Sequence, residues 1–291
     1  MAEISAADVK RLREKTGAGI LECKNALVSC EGDFDKAEKQ LKEKGLAALE
    51  KRSGRATNEG KIFVKIADSA GDAGPAAVLV ELSSETDFVA RNPDFVALGE
   101  AIAARALEKG FDGPNDELTG MVTDLAARIR ENMGLKRLKM LKAGKGEYFT
   151  SYIHGDGNIG VVVKFGSDKP EIFGDEEVKA FMFTLALHIA AFNPYALDKS
   201  KIDPSYIGEQ EEIFRKQMEK DEKLKGKPEK VLEGILKGKI SKHLSEICIL
   251  EQGYVKDEKL SVAQAIAEQA KKTGAKLEIV EYAYFKVGVA P

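Results

Sequence analysis

The sequence has few residues of the kinds that build redox, disulfide or metal sites. Among 291 residues there is no tryptophan, and there are only three cysteines and three histidines. The cysteines, Cys23, Cys30 and Cys248, are odd in number and none belongs to a CxxC pair. This pattern favours reduced thiols in a cytoplasmic protein over a disulfide framework. Because the histidines lie far apart, without a cysteine or carboxylate at ligand spacing, we expect no metal site.

Motifs of nucleotide-binding and catalytic proteins are also missing. The chain contains no GxxxxGK[ST], no GxGxxG after a strand, no GxSxG and no HExxH, which are the sequences that cradle phosphates, present a nucleophile or hold zinc. No Ser/His/Asp or Cys/His constellation stands out either. We therefore expect a protein that is not an enzyme and uses no cofactor.

Charge and hydropathy exclude two further classes of partner. The 45 basic and 48 acidic residues give a net charge of −3, whereas nucleic-acid binders usually carry a basic excess that neutralises phosphates. No apolar run approaches the ~18 residues of a membrane span, and the N-terminus has no basic and apolar signal sequence. We expect a cytoplasmic protein that binds neither nucleic acid directly nor a membrane.

Helical periodicity dominates the first part of the chain. Ser5 followed by Asp8 resembles a capping box, and a second helix is predicted over residues 20–30. Gly32 and Asp33 then provide a stop and a new N-cap, and the third helix is expected to end at Gly45. A three-helix module over residues 1–52 buries little surface and is marginal alone. It is followed by a polar linker at residues 53–60.

The period then changes from helix to strand. Ile62, Val64 and Ile66 alternate with polar residues, as in a half-buried strand. A loop at residues 69–75, a second strand at 77–82 and a turn at 83–92 follow. Helices are predicted from the spacing of Phe95, Leu98, Ile102 and Leu107 and over residues 116–132. These elements form a core N-terminal subdomain, residues 61–145.

The same order of hairpin, turn and helix occurs a second time. Strands at 149–154 and 159–165 flank a tight turn, and a helix spans about 176–192. A core C-terminal subdomain is therefore expected from residues 146–200 and 229–291, with its last strand at 277–287. The charged segment 201–228 is predicted to be an inserted helical hairpin, and its sparse apolar residues leave open whether it serves self-association or another partner. The fold class is α+β, with two related subdomains of antiparallel sheet plus helices.

Two short segments can be interpreted in more than one way. In Thr86-Asp87-Phe88-Val89, Asp87 can be an N-cap with Phe88 in the core, or Phe88 can be an exposed interface anchor. Ile20 and Leu21 can belong to the three-helix core, but adjacent residues do not easily point the same way, so one of them is expected to be exposed. His154 closes a strand and can be an ordinary loop residue, and His188 lies on an apolar helix face where a structural role is expected.

Two stretches carry a family resemblance. Residues 12–27 (LREKTGAGILECKNAL) and 81–92 (ELSSETDFVARN) closely resemble the two signature motifs of the elongation factor Ts family; the second departs at Ser83, where the family usually has Asn. Weaker matches occur in the family's order, among them Glu131-Asn132, His154-Gly155 and Gly226-Lys227-Pro228. Together they cover nearly the whole chain.

The resemblance implies a fold, a partner and a set of contact residues. It implies that the N-terminal module is ubiquitin-associated-like, and that the protein binds the GTPase elongation factor Tu and promotes GDP release during translation elongation. Asp87 and Phe88, in the turn with Thr86 and Val89, would enter the GTPase near its magnesium and phosphate site. The matching family positions imply that the GTPase nucleotide domain is contacted by Arg13, Ile20, Leu21 and Lys24. They also imply that His154 contacts another domain of the GTPase.

Two other functions remain as alternatives. A pure adaptor would bind a ubiquitin-like or peptide ligand through the three-helix module, and it would not need the Asp87-Phe88 turn. A hydrolase would use Asp87 or Glu85 as an acid or base, and it would need a pocket and a second catalytic partner. The sequence supplies no such partner.

Overall fold

The computed structural model describes residues 4–68 and 74–289, which fall into two compact units. The first unit contains residues 1–142, 153–160 and 285–291, and the second contains 143–152 and 161–284. Most of the loop expected at residues 69–75 lies outside the described residues. The domain boundaries at residues 52, 60, 145, 200 and 228 stay predictions.

The first unit begins with three helices, α1 (Ala6–Thr16), α2 (Ile20–Ser29) and α3 (Phe34–Glu50). The Ser5 hydroxyl accepts the Asp8 amide at 3.1 Å and the Asp33 carboxylate accepts the Lys36 amide at 3.0 Å, so both predicted N-caps are present. Each satisfies an amide that the first helical turn leaves unpaired. The small core of the module is formed by Val9, Leu12, Ala18, Cys23, Ala26, Leu27, Ala37 and Leu41.

A three-stranded antiparallel sheet with helices follows. Its elements are β1 (Glu59–Ala67), β2 (Ala76–Ser84), α4 (Asp87–Ala90), α5 (Pro93–Lys109), α6 (Asp116–Ile129) and β3 (Met133–Lys142), and the strand order is β1-β2-β3. All nine residues of the central strand β2 are buried, because it is paired on both edges and α5 packs against the sheet. Val80, Leu82, Phe95, Ile102 and Leu118 are among the fully or nearly fully buried side chains of this core.

Two expectations for the first unit are wrong, and one strand was missed. The helix α3 does not end at Gly45 but continues to Glu50. A Cβ at Gly45 would lie 3.2 Å from the Ala127 carbonyl oxygen, so this glycine permits close packing against α6. The region expected to turn at residues 83–92 contains α4. Strand β3 was not predicted, because a bulge opposite Glu81 and Leu82 shifts its register and breaks the period of two.

The predicted alternation of β1 is also wrong in detail. Phe63 is buried and its ring centroid lies 6.3 Å from that of Phe95, whereas Ile66 is exposed. Ile62 is buried on the opposite face, where its side chain lies so close to Gly160 that a Cβ there would be 2.4 Å away. Since both faces of the strand are covered near residue 62, no simple polar and apolar alternation can appear.

The second unit is built around another small sheet. Its elements are α7 (Glu176–Phe192), α8 (Pro204–Glu219), α9 (Glu229–Ile247), β6 (Gly253–Tyr254), β7 (Asp257–Ser261), α10 (Val262–Thr273) and most residues of β4 (Glu147–His154), β5 (Ile159–Gly166) and β8 (Glu278–Lys286). The three-stranded sheet has the order β4-β5-β8, and β6 pairs with β7. In both three-stranded sheets a hairpin is followed by helices and then by a third strand beside the second, so the α+β class with two related parts is confirmed.

Two long helices form the charged part of the second unit. They are α8 and α9, and α9 runs from Glu229 to Ile247. Seven buried residues hold this part together: Ala196, Ile202, Met218, Leu236, Ile240, Leu244 and Cys248. Over residues 4–68 and 74–289, no helix has the length and apolar character needed to cross a membrane.

Candidate functional site

The one-turn helix α4 presents the side chains of the second motif. Thr86 is its N-cap, and the Thr86 hydroxyl accepts the Val89 amide at 3.4 Å. Val89 and Ala90 are buried in the core of the first unit. Phe88 is 81% exposed, because successive helical residues point about 100° apart and the core takes the two that follow.

The exposure of Phe88 excludes one of the two interpretations of this segment. The alternative in which Asp87 is the N-cap and Phe88 packs in the core is wrong, since Thr86 caps the helix and the ring lies outside. Burying such a ring would contribute about 2 kcal/mol of transfer free energy. The folded chain leaves most of that contribution unused, so the ring is available to another surface.

Charged residues surround Asp87 on its exposed side. The Arg91 guanidinium lies 3.5 Å from the Asp87 carboxylate and 3.6 Å from the Asp156 carboxylate. Asp156 also accepts a 2.6 Å hydrogen bond from Lys61, and this bond holds the pKa of the Asp156 carboxyl below its usual value. These groups link α4 to the turn between β4 and β5.

Hydrogen bonds of two glutamates fix Thr86 and the residue before it. Glu131 accepts hydrogen bonds from the Thr86 amide (3.1 Å) and the Thr86 hydroxyl (2.9 Å). Glu85 accepts the Asn132 amide at 2.6 Å and Arg55 at 3.2 Å. The Asn132 amide is the main cause that lowers the pKa of the Glu85 carboxyl. Glu85 is therefore a fixed carboxylate with both oxygens bonded, which does not suit the general acid of the hydrolase alternative.

The residue that departs from the family pattern has its own hydrogen bonds. Ser83 is buried, and its hydroxyl donates to the Thr57 hydroxyl at 3.0 Å and lies 3.2 Å from the Gly134 carbonyl oxygen. The Ser84 hydroxyl donates to the Thr86 carbonyl at 2.9 Å. Just before α4 begins, the end of β2 is thus tied to β3 and to the segment that precedes β1.

The first motif forms a second exposed surface at the start of α2. One of the pair was expected to be exposed, and in the structure both are: Ile20 is 60% and Leu21 is 69% exposed. They occupy the first two positions of α2, whereas the core is filled one turn later by Cys23, Ala26 and Leu27. The Gly19 amide donates to the Glu22 carboxylate at 3.1 Å, which closes this first turn.

Three of the predicted contact residues of the first motif line one concavity. Its volume is about 540 Å³ and it is lined by Ile4, Ala6, Val9, Lys10, Arg13, Ile20 and Lys24. The structure therefore brings Arg13, Ile20 and Lys24 together around an apolar floor with a basic rim. Leu21 is not among the lining residues and lies on the helix face of exposed Val28, seven residues further along α2.

The predicted histidines differ in their surroundings. His154 is exposed at the end of β4, and its carbonyl accepts the Asn158 amide at 3.2 Å across the turn that contains Asp156. His188 is fully buried and its Nε2 lies 2.9 Å from the Gln252 side-chain oxygen. Because the Gln252 amide nitrogen donates to a backbone carbonyl, the network assigns the proton to His188 Nε2, and burial lowers the pKa of this imidazole.

Sequence reasoning missed the residues that support the exposed groups. The Asp87–Arg91 pair has the i,i+4 spacing of a helical ion pair, which was a readable signal. Glu131 and Asp156 lie far along the chain from Thr86 and Arg91, and no local pattern connects them. In the part of the chain that the structure describes, no cluster of three or more His, Cys, Asp or Glu side chains is arranged to hold a metal ion.

Comparison with known proteins agrees with the two motifs. The family model described as Elongation factor TS matches residues 85–289. The protein is 50% identical over 287 residues to elongation factor Ts of Treponema denticola, with 99% of each chain covered. It is 46% identical over 292 residues to that of Treponema pallidum (strain Nichols), again with 99% of each chain covered, and 43% identical over 287 residues to that of Borrelia recurrentis, covering 98% of this chain and 99% of the relative. The chain belongs to the elongation factor Ts family.

Proposed function

We propose that this protein is a guanine-nucleotide exchange factor that binds elongation factor Tu in the cytoplasm and accelerates the release of GDP. Membership of the elongation factor Ts family implies exchange activity on this GTPase. One observation about the chain itself carries the proposal: Phe88 is 81% exposed, directly before two buried residues that anchor its helix in the core.

Phe88 acts as a wedge because the residues on either side of it fix its backbone to the first unit. An aromatic side chain that fills a partner's pocket contributes much of an interface's binding energy. The chain orders Phe88 before binding, through the N-cap at Thr86 and the burial of Val89, so little conformational entropy is lost on association. Asp87, half-exposed beside it, brings negative charge towards groups that hold a phosphate and its magnesium ion.

Exchange follows from binding alone. If the factor binds the nucleotide-free GTPase more tightly than the nucleotide-bound form, the nucleotide must lose affinity by the same ratio. A coupling free energy of about 4 kcal/mol corresponds to about a thousandfold loss of nucleotide affinity. No covalent chemistry is required, which fits side chains that act by shape and charge.

A second contact lies at the start of α2. The concavity lined by Arg13, Ile20 and Lys24, together with exposed Leu21, offers apolar surface with a basic rim to a helix of the GTPase nucleotide domain. His154, exposed at the end of β4, supplies a contact to another domain of the GTPase. Binding at these places adds affinity and orients the Phe88 wedge.

The test is release of fluorescent GDP from elongation factor Tu, measured with increasing factor concentration. Phe88→Ala should lower the stimulated release rate about thirtyfold, the effect of losing a strong aromatic contact of about 2 kcal/mol. It should barely affect folding, because only about 40 Å² of the ring is buried and this contributes at most ~1 kcal/mol.

Val255→Ala is the matched control. Val255 is an exposed apolar residue in the second unit and belongs to neither motif, so its removal should leave the rate within about twofold of the unmodified protein, as for surface substitutions in general. An unmodified protein that does not accelerate GDP release would refute the function. An active protein whose rate is insensitive to Phe88→Ala would remove the wedge from the mechanism.

A further inference from the structure

The end of α6 turns sharply and sends three consecutive side chains to three different places. Arg130 is the C-cap of α6, with φ +69°, and its amide donates to the Ala126 carbonyl at 2.8 Å. A non-glycine residue in this left-handed region carries a conformational cost of about 1–2 kcal/mol. The contacts of residues 130–132, which we call the 130–132 junction, offset that cost.

Arg130 reaches the start of α2. Its guanidinium donates to the Glu22 carboxylate, and the same carboxylate oxygen accepts the Gly19 amide at 3.1 Å. The bond from Arg130 is the main cause that lowers the pKa of the Glu22 carboxyl. Ile20 and Leu21 lie between Gly19 and Glu22, so Arg130 holds the turn that carries both of these exposed side chains.

Glu131 reaches the start of α4. Its two carboxylate oxygens accept the amide and the hydroxyl of Thr86, which is the N-cap of the helix that presents Asp87 and Phe88. Hydrogen bonds to an ionised acceptor are shorter and about twice as strong as neutral ones. Two of them on a single residue fix both the position and the orientation of the N-cap.

Asn132 completes the junction. Its amide donates to Glu85 at 2.6 Å, and its side-chain nitrogen donates to the carbonyls of Ser53 (3.2 Å) and Arg55 (2.7 Å). These bonds tie the residue before Thr86 and the segment after α3 to the same short stretch of chain. Three segments distant in sequence are thereby fixed to one point within the first unit.

We propose that the 130–132 junction is a positioning element that sets the Ile20–Leu21 surface and the Phe88 wedge at a fixed separation, so that both engage the GTPase at once. The proposal rests on the exchange function proposed above and extends it to residues that need not touch the partner. Glu131 is its central positioning residue, because it holds the N-cap from which Phe88 is displayed.

Two contacts on one rigid body bind better than the same contacts joined flexibly. The first contact to form raises the effective concentration of the second, and this gain falls when the geometry between them is loose. Removing the Glu131 hydrogen bonds to Thr86 should therefore lower the exchange rate by displacing Phe88. The same change should lower the rate little further when the Phe88 ring has already been removed.

A double-mutant cycle in the GDP-release assay tests this role. Glu131→Ala should lower the maximal stimulated rate about tenfold, since hydrogen bonds to a charged group are lost. Glu131→Gln should restore it to within about threefold, because the amide oxygen can accept the Thr86 amide while the amide nitrogen donates to the Thr86 hydroxyl. In the Phe88→Ala background, Glu131→Ala should change the rate by less than about twofold, because the effects of residues coupled through one hydrogen-bond network are not additive.

Arg128→Ala is the control for Glu131→Ala, because it also removes a charged side chain close to the 130–132 junction. Arg128 is as exposed as Arg130 and pairs with Asp94 at 3.0 Å, without reaching either exposed surface, so exchange should be unchanged. If Glu131→Ala does not fold, Thr86→Val replaces it in the cycle, since it removes the hydroxyl bond and keeps the amide bond.

The outcomes separate this proposal from the proposed function. Losses from Glu131→Ala and Phe88→Ala that multiply in the double variant would overturn the positioning role, as would full activity of Glu131→Ala. An unmodified protein without exchange activity would overturn both proposals.

Discussion

Loss of Arg137 should destabilise the protein far more than loss of a surface arginine. Arg137 on β3 pairs with Glu81 on the central strand β2, with Nε 2.5 Å from a carboxylate oxygen. The Glu81 side chain is 4% exposed and the Arg137 side chain 16%. Replacing Arg137 by alanine leaves the Glu81 carboxylate buried with its charge unbalanced.

The magnitude follows from the contacts that are lost. Breaking a buried ion pair from one side costs about 3–5 kcal/mol. Arg137 also donates to the Lys286 carbonyl at 2.8 Å and lies 4.2 Å above the Phe285 ring, while Glu81 keeps one bond, from the Gly288 amide at 3.0 Å. Because that bond remains, we expect the lower end of the range, about 3 kcal/mol.

Urea unfolding followed by far-ultraviolet circular dichroism measures this loss. The chain has no tryptophan, so secondary structure is a better signal than indole fluorescence. With a slope of about 3 kcal/mol per M, Arg137→Ala should lower the midpoint by about 1 M. Arg128→Ala removes a solvent-exposed ion pair and should cost less than about 1 kcal/mol.

A second variant separates charge from packing. Glu81→Leu combined with Arg137→Met replaces both charges by apolar groups, and such replacements are often neutral. The double variant should therefore recover most of the stability, except for the Gly288 hydrogen bond. An Arg137→Ala midpoint equal to that of Arg128→Ala would refute the reasoning.

Two further predictions concern packing and protonation. Gly99→Ala should lower the free energy of unfolding by about 2–3 kcal/mol, because a Cβ would lie 2.2 Å from the Phe63 ring. Gly120→Ala, at a helical position where a Cβ would meet nothing within 4 Å, should instead raise it by up to about 1 kcal/mol. Equal midpoints for the two variants in parallel urea unfolding experiments would contradict this pair of predictions. Burial lowers the pKa of His188, so the unfolded chain takes up its proton first as the pH falls below ~6.5, and stability should decline there by up to about 1.4 kcal/mol per pH unit. His188→Gln should remove this part of the decline between pH 7.5 and 5.5, and an identical pH profile in the variant would show that His188 does not cause it.

Much of the local structure could be predicted from short-range patterns. The helix predicted at residues 176–192 has those limits in the structure, because an unbroken apolar face and an N-cap aspartate encode it locally. The N-caps at Ser5 and Asp33 and the paired strands of both hairpins were equally visible. Each helix, cap and strand among these features is encoded within one short segment of the chain.

Predictions failed where a distant residue decided the outcome. Gly45 suggested a helix end, yet it lies inside α3, where the absence of a side chain allows close packing against Ala127. One of Ile20 and Leu21 was expected to be exposed, yet the core is filled one turn later and both are exposed. Strand β3 has a pattern broken by a bulge and is recognisable mainly through its pairing with β2.

The sequence by itself determined the family, the α+β class and the two motifs, because these depend on residue identity and local period. Only the tertiary structure decided that Phe88 is exposed while Val89 is buried, and that Glu131 bonds to Thr86, 45 residues away. The physical reason is that burial and long-range hydrogen bonding depend on which elements pack together. Residue identity along one segment does not contain that information.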